Sequence, residues 1–413
     1  MSSILFKNAR VFDGVNAECQ EGMQVLVEGG AIREISAVSI RMPDARVIDL
    51  GGRTLMPGLI DAHIHAYASD VNFHKVDLAG APYRTAYAVR MLGFALESGF
   101  TTVRDAGGGD WSLARAIEDR LFQAPRFLYA GKALSMTGGH GDFRSANESR
   151  HTEGYCTCGS SHTISVVADG VGECVKAARE ELRRGAHFIK IMGSGGASST
   201  SDPIWMNQYR DEEIRAVVNE ARERRTYVSA HCHPAHAARR CVELGVRAIE
   251  HGTLMDDETA RYVAEKGAFV VPTMSVIFAL AEAGRRLGFP PQSQEKVEYA
   301  CREALRGMDA MRKAGVKIGF GTDLLGETYV QQSREFTIRR EVFSPLEILR
   351  QTTSTNAALL QLEGKLGCVQ PDAYADLIVV DGDPLKDIGL LTDRKHIPIV
   401  MRGGELMRKH SIN

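Results

Sequence analysis

The stretch HFIKIM, residues 187–192, predicts a short buried strand with a lysine at its centre. Lys190 stands between Ile189 and Ile191, and the strand ends at the glycines of GSGG, residues 193–196. An ammonium group inside an apolar strand is costly to bury unless another group neutralises it or hydrogen-bonds to it. We therefore expect Lys190 to have a functional partner.

Seven more apolar runs resemble this one, and amphipathic helical stretches such as residues 171–185 and 211–225 lie between them. This alternation indicates right-handed βαβ units and a parallel sheet. Eight strands in about 300 residues favour a (β/α)8 TIM barrel, and a doubly wound open sheet is the alternative. The eight predicted strands are residues 59–65, 100–106, 126–131, 187–192, 227–231, 247–251, 268–273 and 317–323.

The two ends of the chain have a different pattern, typical of hairpin strands. Residues 1–57 alternate or run apolar and break at glycines, and the pattern returns in ADLIVVDGDP (375–384) and IPIVMRGGELM (397–407). We predict a small β-sandwich domain from residues 1–57 plus 365–413, and a catalytic barrel from residues 58–364. The long segment 132–168 after the third strand is expected to serve the active site.

Composition favours an ordinary soluble globular protein. The 413 residues are 44% hydrophobic and 25% charged, and the formal net charge is −2. This balance gives no argument for a nucleic-acid partner or an anionic membrane. No apolar run approaches the ~20 residues that span a bilayer, and the N-terminus lacks a signal-peptide core. A cytoplasmic location without membrane or nucleic-acid partners is therefore expected, with reduced cysteines.

One local cluster of possible metal ligands is YCTCGSSH, which contains Cys156, Cys158 and His162. A zinc clip is conceivable there, but the spacing matches structural zinc sites poorly. A surface loop with incidental thiols is the favoured interpretation.

Metal-compatible side chains end five of the eight predicted strands. Active sites of barrels lie at the C-terminal ends of the strands, and strand residues i and i+2 point the same way, so His63 and His65 can hold one ion. Taken singly, H-x-H is a weak motif, Asp323 could cap a helix and Lys190 could extend to the rim. The joint pattern predicts a site for zinc or a similar metal. The six candidate ligands are His63, His65, Lys190, His231, His251 and Asp323.

Four motifs together resemble the metal-dependent amidohydrolase superfamily: MPGLIDAHIH (56–65), SAHCHP (229–234), IEHGT (249–253) and GFGTDLLGE (319–327). The resemblance covers essentially the whole chain, including the divided β domain. FTTVRDAGGGDWSL, ALSMTGGHGDFR and KIMGSGG are similar to the imidazolonepropionase-like branch, which contains Xaa-Pro dipeptidases and related carboxypeptidases.

The resemblance implies a centre of two divalent metal ions, which we expect to be zinc. His63, His65 and Asp323 would hold one ion, and His231 and His251 the other. Lys190 would be carboxylated to N6-carboxylysine and bridge both ions. A lysine desolvated in a strand has a lowered pKa and is a better nucleophile, which agrees with this modification.

The resemblance also implies catalytic roles. Asp323 would accept a proton from water and pass it to the leaving nitrogen. A donor for the oxyanion is also needed, and His140 and His233 are the two candidates. His233 replaces a tyrosine of the similar dipeptidases, which weakens the inference about substrate specificity.

Substrate contacts are expected in the loop that follows Lys190. GSGGASSTSDP, residues 193–203, departs from the dipeptidase sequence, and Gly195, Gly196 and Ser198 could offer N–H and hydroxyl donors to a substrate carboxylate. Tyr209, with Trp205 and Met206, forms either an apolar wall of the pocket or part of the core. Arg144 and Arg150 are expected to be solvated.

These features predict a binuclear metal-dependent hydrolase of amide bonds. The favoured activity is that of a peptidase or dipeptidase of the Xaa-Pro or N-acyl amino acid type, acting on a small or dipeptide-like substrate in a homo-oligomer. The alternative is an amidase for a non-peptide amide, carbamate, urea or ochratoxin-type mycotoxin. A cyclic amide hydrolase, a deaminase and a metal-free binding scaffold are less favoured.

Overall fold

All eight predicted runs form strands, and they arrange into two parallel arcs. The computed structural model describes residues 3–144, 163–199 and 202–409. One arc has the order β6-β7-β8 and the other β10-β9-β11-β12-β13-β14-β15. The strands are β6 Leu59–Ile64, β7 Phe100–Asp105, β8 Arg126–Tyr129, β9 Ala133–Ser135, β10 Ser165–Val167, β11 Ile189–Met192, β12 Val228–Pro234, β13 Ala248–Leu254, β14 Phe269–Val271 and β15 Lys317–Ile318.

Backbone hydrogen bonds outside the regular ladders link the two arcs on both sides. Ala62 N–H donates to the carbonyl of Phe320 at 2.8 Å, which joins β6 to the segment after β15. His187 N–H donates to the carbonyl of Tyr129 at 2.9 Å, which joins the entry of β11 to β8. The fold is TIM-barrel-like, so the C-terminal ends of its parallel strands converge on one face.

The helices cover the strands with the apolar faces that the sequence periodicity predicts. In α5 the buried residues Ile214, Val217, Val218 and Ala221 recur at helical spacing, and the Glu213 carboxylate accepts the N–H of Arg210 at the helix start. The helices are α1 Phe73–Leu78, α2 Ala81–Glu97, α3 Trp111–Glu118, α4 Gly170–Arg183, α5 Asp211–Glu223, α6 Ala235–Glu243, α7 Asp257–Glu265, α8 Met274–Ala283, α9 Pro291–Ala314, α10 Arg334–Arg339, α11 Pro345–Arg350 and α12 Asn356–Leu359. Within the described ranges, no helix is both long and apolar enough to cross a bilayer.

The long segment after the third barrel strand contributes two strands that the sequence pattern did not predict. β9 and β10 pair in parallel, and β9 also pairs with β11 through Leu134 and Ile191. The loop after β9 begins at this inserted pair and carries His140. The cluster of Cys156, Cys158 and His162, together with Arg150, lies outside the described residues.

Strands from both ends of the chain form one sheet. β5 and β16 pair in antiparallel fashion, with Pro57 opposite Leu377. All eight strands belong to one sheet that branches at β1, and the sandwich arrangement and exact domain limits stay predictions. The strands are β1 Ile4–Val11, β2 Gln20–Glu28, β3 Ala31–Ser36, β4 Arg46–Asp49, β5 Thr54–Pro57, β16 Leu377–Val380, β17 Ile399–Arg402 and β18 Glu405–Lys409. A separate cluster of buried apolar residues, including Phe6 and Leu55, forms the core of this domain.

Candidate metal centre

The six predicted ligand residues all line one cavity at the C-terminal ends of the barrel strands. The histidine rings form a continuous cluster, with centroid separations of 5.0 Å for His63 and His251 and 4.5 Å for His231 and His251. Lys190 is 2% exposed, and burial lowers the pKa of its amine. Four buried imidazoles, a carboxylate and an amine of lowered pKa therefore share one chamber.

His63, in β6, and His65, directly after β6, both point their Nε2 atoms at Asp323. Nδ1 of His65 donates to the carbonyl of Gly107 at 2.8 Å, and its Nε2 lies 3.2 Å from Oδ1 of Asp323. Nδ1 of His63 lies 2.7 Å from the Glu250 carboxylate, and its Nε2 lies 3.5 Å from the same Asp323 oxygen. These contacts hold Nδ1 of each ring, and they leave Nε2 facing the cavity.

A second group consists of three histidines from β12 and β13. Their ligand atoms lie within 4.8 Å of one another, as do those of His63, His251 and Asp323. Thr273 holds Nδ1 of His251 at 2.7 Å, and Thr253 holds Nδ1 of His233 at 3.0 Å. The geometry therefore offers two overlapping sets of three ligands. One set is this second group, His231, His233 and His251, and the other is His63, His251 and Asp323. His233 therefore has the position of a metal ligand as well as of an oxyanion donor.

Two buried nitrogen atoms support metal binding at this place. Among the described residues, Nε2 of His63 and Nε2 of His231 have no hydrogen-bond partner. A buried polar atom without a partner is costly, and an imidazole nitrogen that faces a cluster of other ligands is satisfied by a cation. The donor set fits zinc or a similar divalent ion.

Two ligands have backbone conformations that ordinary residues rarely adopt. The φ angle is +72° at His251 and +56° at Asp323. In a regular strand, Glu250 and His251 would face opposite sides of the sheet. The left-handed conformation at His251 lets both side chains face the barrel interior, so backbone strain is located at the candidate site.

A buried ion pair lies directly behind His63. Arg104 donates to Glu250 at 2.5 Å, and the Ser229 hydroxyl donates to the same carboxylate oxygen. Burial alone would raise the pKa of Glu250, but Arg104 and His63 outweigh it and lower the pKa. Glu250 and Arg104 were not among the predicted site residues, although a charge within a buried strand is the same signal that identified Lys190.

Asp61 fixes the chain next to Asp323. Its carboxylate accepts the Thr322 hydroxyl at 2.6 Å and the Gln332 amide at 2.8 Å. Burial raises the pKa of Asp61 to about 6. Because Thr322 directly precedes Asp323, this contact orients the proposed proton acceptor.

His140 stands over the second histidine group. Its ring stacks on that of His231 with centroids 4.3 Å apart, and its Nδ1 lies 3.1 Å from the Ser199 hydroxyl. Oδ2 of buried Asp202 lies 3.6 Å from the same nitrogen. Burial raises the pKa of Asp202, but His140 and other donors outweigh this and lower it to about 2. His140 is therefore held at the cavity wall by a charged, buried partner.

The predicted substrate contacts are revised by the structure. Gly195 N–H donates to the carbonyl of Met206 and Gly196 N–H to Asp202, both at 2.8 Å, so neither is free to bind a substrate carboxylate as expected. Ser198 does line the cavity. Tyr209 is buried in the core, which was one of its two predicted places, and it lines a separate cleft beside Asp169 and the start of α5. Its substrate contact stays a prediction.

Trp205 and Arg144, for which the sequence also gave expectations, do not line the cavity. Trp205 is 66% exposed, which places it neither in the core nor in the cavity wall. Arg144 donates to both oxygens of Asp142, at 2.7 and 2.6 Å.

Part of the cavity lining is apolar. Phe73 and Phe143 stack there with ring centroids 4.6 Å apart. The other apolar lining residues include Ile164, Val276, Ile277, Leu280, Val297 and Leu325.

Comparison with known proteins identifies the family. A family model described as the amidohydrolase family matches residues 54–407. The chain therefore belongs to the amidohydrolase family, and it is a hydrolase that acts on amides.

Individual relatives support a position near the prolidases, as the motifs predicted. A solved prolidase complexed with N-methylphosphonate-L-proline is 41% identical, with a TM-score of 0.96 over 99% of this chain and 100% of that chain. A Xaa-Pro dipeptidase with methionine bound in its active site is 29% identical, with a TM-score of 0.87 over 98% and 100%. Ochratoxinase of Aspergillus niger is 32% identical over 368 residues, 86% of this chain and 75% of that protein.

Proposed function

We propose that the chain is a binuclear metal-dependent hydrolase of amide bonds. The observation that carries this proposal is the cavity in which six ligand residues converge around two buried, unpartnered imidazole nitrogens. Similarity to prolidases and to ochratoxinase supports the same reaction class.

The residues fit two divalent ions, for which we propose zinc. His63, His65 and Asp323 would hold one ion, and His231 and His251 the other. When bound, the two ions lower the pKa of a water molecule and polarise the scissile carbonyl. Lys190 would bridge the ions as N6-carboxylysine: its neutral amine attacks carbon dioxide, an N–C bond forms and one proton is released.

The protein itself supplies proton transfer and charge stabilisation. Burial raises the pKa of Asp323, but His63 and His65 outweigh it and lower the pKa, so the group is a carboxylate near neutral pH. It accepts the proton of the attacking water and returns it to the leaving nitrogen. His140 and His233 line the same cavity and donate to the carbonyl oxygen as negative charge develops there.

The favoured substrates are Xaa-Pro dipeptides or N-acyl amino acids, because the prolidase and Xaa-Pro dipeptidase structures cover nearly the whole chain. A second candidate is an aromatic non-peptide amide of the ochratoxin type. The stacked pair of Phe73 and Phe143 favours this candidate, since it lines the same cavity as the candidate ligands and offers an apolar surface to an aromatic group. The cytoplasmic location and the homo-oligomeric state stay predictions.

Metal analysis tests the proposal directly. We expect two ions per chain in the purified protein, and loss of both the metal and the activity in Lys190→Ala. Lys176→Ala, at an exposed position of α4, is the matched control and should keep both. Fewer than about one ion per chain, or a fully active and metal-loaded Lys190→Ala, overturns the binuclear site.

Substrate screening separates the two candidates. The metal-loaded enzyme is offered Xaa-Pro dipeptides, N-acyl amino acids and aromatic amides of non-peptide acids. Turnover of the first two groups supports the peptidase. Turnover of aromatic amides alone supports the xenobiotic amidase.

A further inference from the structure

A lysine far from the ligands in sequence holds the loop that contacts His140. The ammonium group of Lys296, on α9, donates to the carbonyls of Gly196, Ser199 and Asp202 at 2.7, 2.7 and 3.0 Å. An ammonium group has three donors, so its hydrogen-bonding capacity is matched by three carbonyls of one loop. Lys296 therefore joins α9 to this loop.

A second residue of α9 reinforces the junction. The Ser293 hydroxyl, one turn before Lys296, lies 3.1 Å from the carbonyl of Ser198 and 3.0 Å from that of Ser199. Ser293 is fully buried and Lys296 is half-buried, so both contacts are shielded from water.

The residues held in this way are the ones that surround the His140 ring. Nδ1 of His140 lies 3.1 Å from the Ser199 hydroxyl, and Nε2 lies 3.4 Å from the Ser198 hydroxyl. Asp202 lies 3.6 Å from Nδ1. Gly196 packs so tightly against the ring that a Cβ there would lie 2.0 Å from its Cε1 atom. Every loop residue held by Lys296 therefore also contacts His140.

We propose that Lys296 is a positioning residue for catalysis, which fixes His140 over the cavity through Gly196, Ser199 and Asp202. The inference rests on the proposed function for the role of His140 as an oxyanion donor. Lysine suits the place because its three donors diverge toward three carbonyls, whereas the planar fork of arginine does not. Loss of the ammonium leaves three shielded carbonyls without a donor and frees the ring to move.

The test compares Lys296→Met with Lys313→Met on the same helix. Lys313 is 70% exposed and pairs only with Asp309 in the described structure. We expect Lys296→Met to lower kcat about 10- to 100-fold with unchanged metal content, because oxyanion stabilisation is weakened. Lys313→Met should retain the wild-type kcat.

A double-mutant cycle shows whether Lys296 acts through His140. In a His140→Ala background, Lys296→Met should change kcat by less than about twofold, because the group that it positions is already gone. An equal loss in both backgrounds, or a Lys296→Met enzyme within about twofold of wild type, overturns the proposal. Ser293→Ala, which removes only a hydroxyl, is the milder variant if Lys296→Met does not fold, and it should lower kcat in the same direction.

A structural readout does not depend on activity. In crystals of the Lys313→Met protein, the rings of His140 and His231 should keep their centroid separation of 4.3 Å. In Lys296→Met the His140 ring should leave this stack. If the wild-type enzyme hydrolyses no amide, the proposed function fails while this comparison still decides the positioning role. An unchanged stack in Lys296→Met overturns it.

Discussion

Nδ1 of His63 lies 2.7 Å from a carboxylate oxygen of Glu250, and Arg104 contacts the other oxygen at 2.5 Å. All three side chains are buried. Glu250 thus fixes the tautomer of a proposed ligand on one side and neutralises a buried guanidinium on the other. A contact of this kind behind a ligand orients the ring and raises its basicity toward a metal.

Glu250→Gln should weaken metal binding about 10- to 100-fold, because the amide holds the His63 ring less strongly. It should also lower the free energy of unfolding by about 3 kcal/mol, because Arg104 loses its buried counter-charge. Metal titration and urea unfolding measure the two effects. Glu265→Gln, at an exposed position, is the control, and wild-type metal affinity in Glu250→Gln would contradict the role.

Asp323→Asn should lower kcat about 100-fold or more while the fold is retained, because asparagine cannot accept the proton of the attacking water. Steady-state kinetics on any accepted amide, with circular dichroism of the same sample, measure this. Asp309→Asn on the surface of α9 should have no effect. Normal turnover in Asp323→Asn would exclude the residue as the proton acceptor.

Gly196→Ala should remove most of the activity, because the added Cβ would lie 2.0 Å from Cε1 of His140 and the ring must move. We expect kcat to fall about 100-fold with the metal content unchanged. Gly172→Ala in α4 is the matched control, since nothing lies within 4 Å of its Cβ and alanine favours a helix. Wild-type kcat in Gly196→Ala would refute the role of His140.

Asp202 should contribute pH-dependent stability. Its pKa is lowered from 3.8 to about 2 in the folded protein, so its contribution is present above the unfolded pKa and is lost as the pH falls through the folded pKa. The contribution is about 2 kcal/mol above pH 5 and about half of that at pH 3. Urea unfolding of the metal-free wild type and of Asp202→Asn should show a stability difference that shrinks between these pH values. A difference that is constant with pH would show that Asp202 is not held as an anion.

The parts of the fold that follow from local periodicity could be predicted from the sequence. The strand around Lys190 and helix α5 lie where their apolar patterns indicate, and the six ligand residues share one cavity because parallel strands end on one face. Glu250 carries the signal of a charge in a buried strand, but its orientation toward His63 could not be predicted, because regular strand alternation would turn it away from His251. Only the left-handed backbone at His251 brings both inward.

Long-range contacts account for the other differences. Nothing in the local sequence of α9 indicates that Lys296 reaches the loop after Lys190, since that contact depends on how two distant elements pack. Tyr209 follows this loop in the chain, and sequence proximity alone suggested that it belongs to the same pocket. Tyr209 instead lines the separate cleft beside α5.

The pairing of β5 with β16 has a consequence for the order of events during translation. Pro57 pairs with Leu377, so β5 leaves the ribosome long before its neighbour in the sheet has been synthesised. Throughout synthesis of the barrel, the nascent chain carries a sheet edge whose N–H and carbonyl groups await the last strands. The incomplete chain is therefore exposed to aggregation at this edge until β16 has been synthesised and has paired with β5.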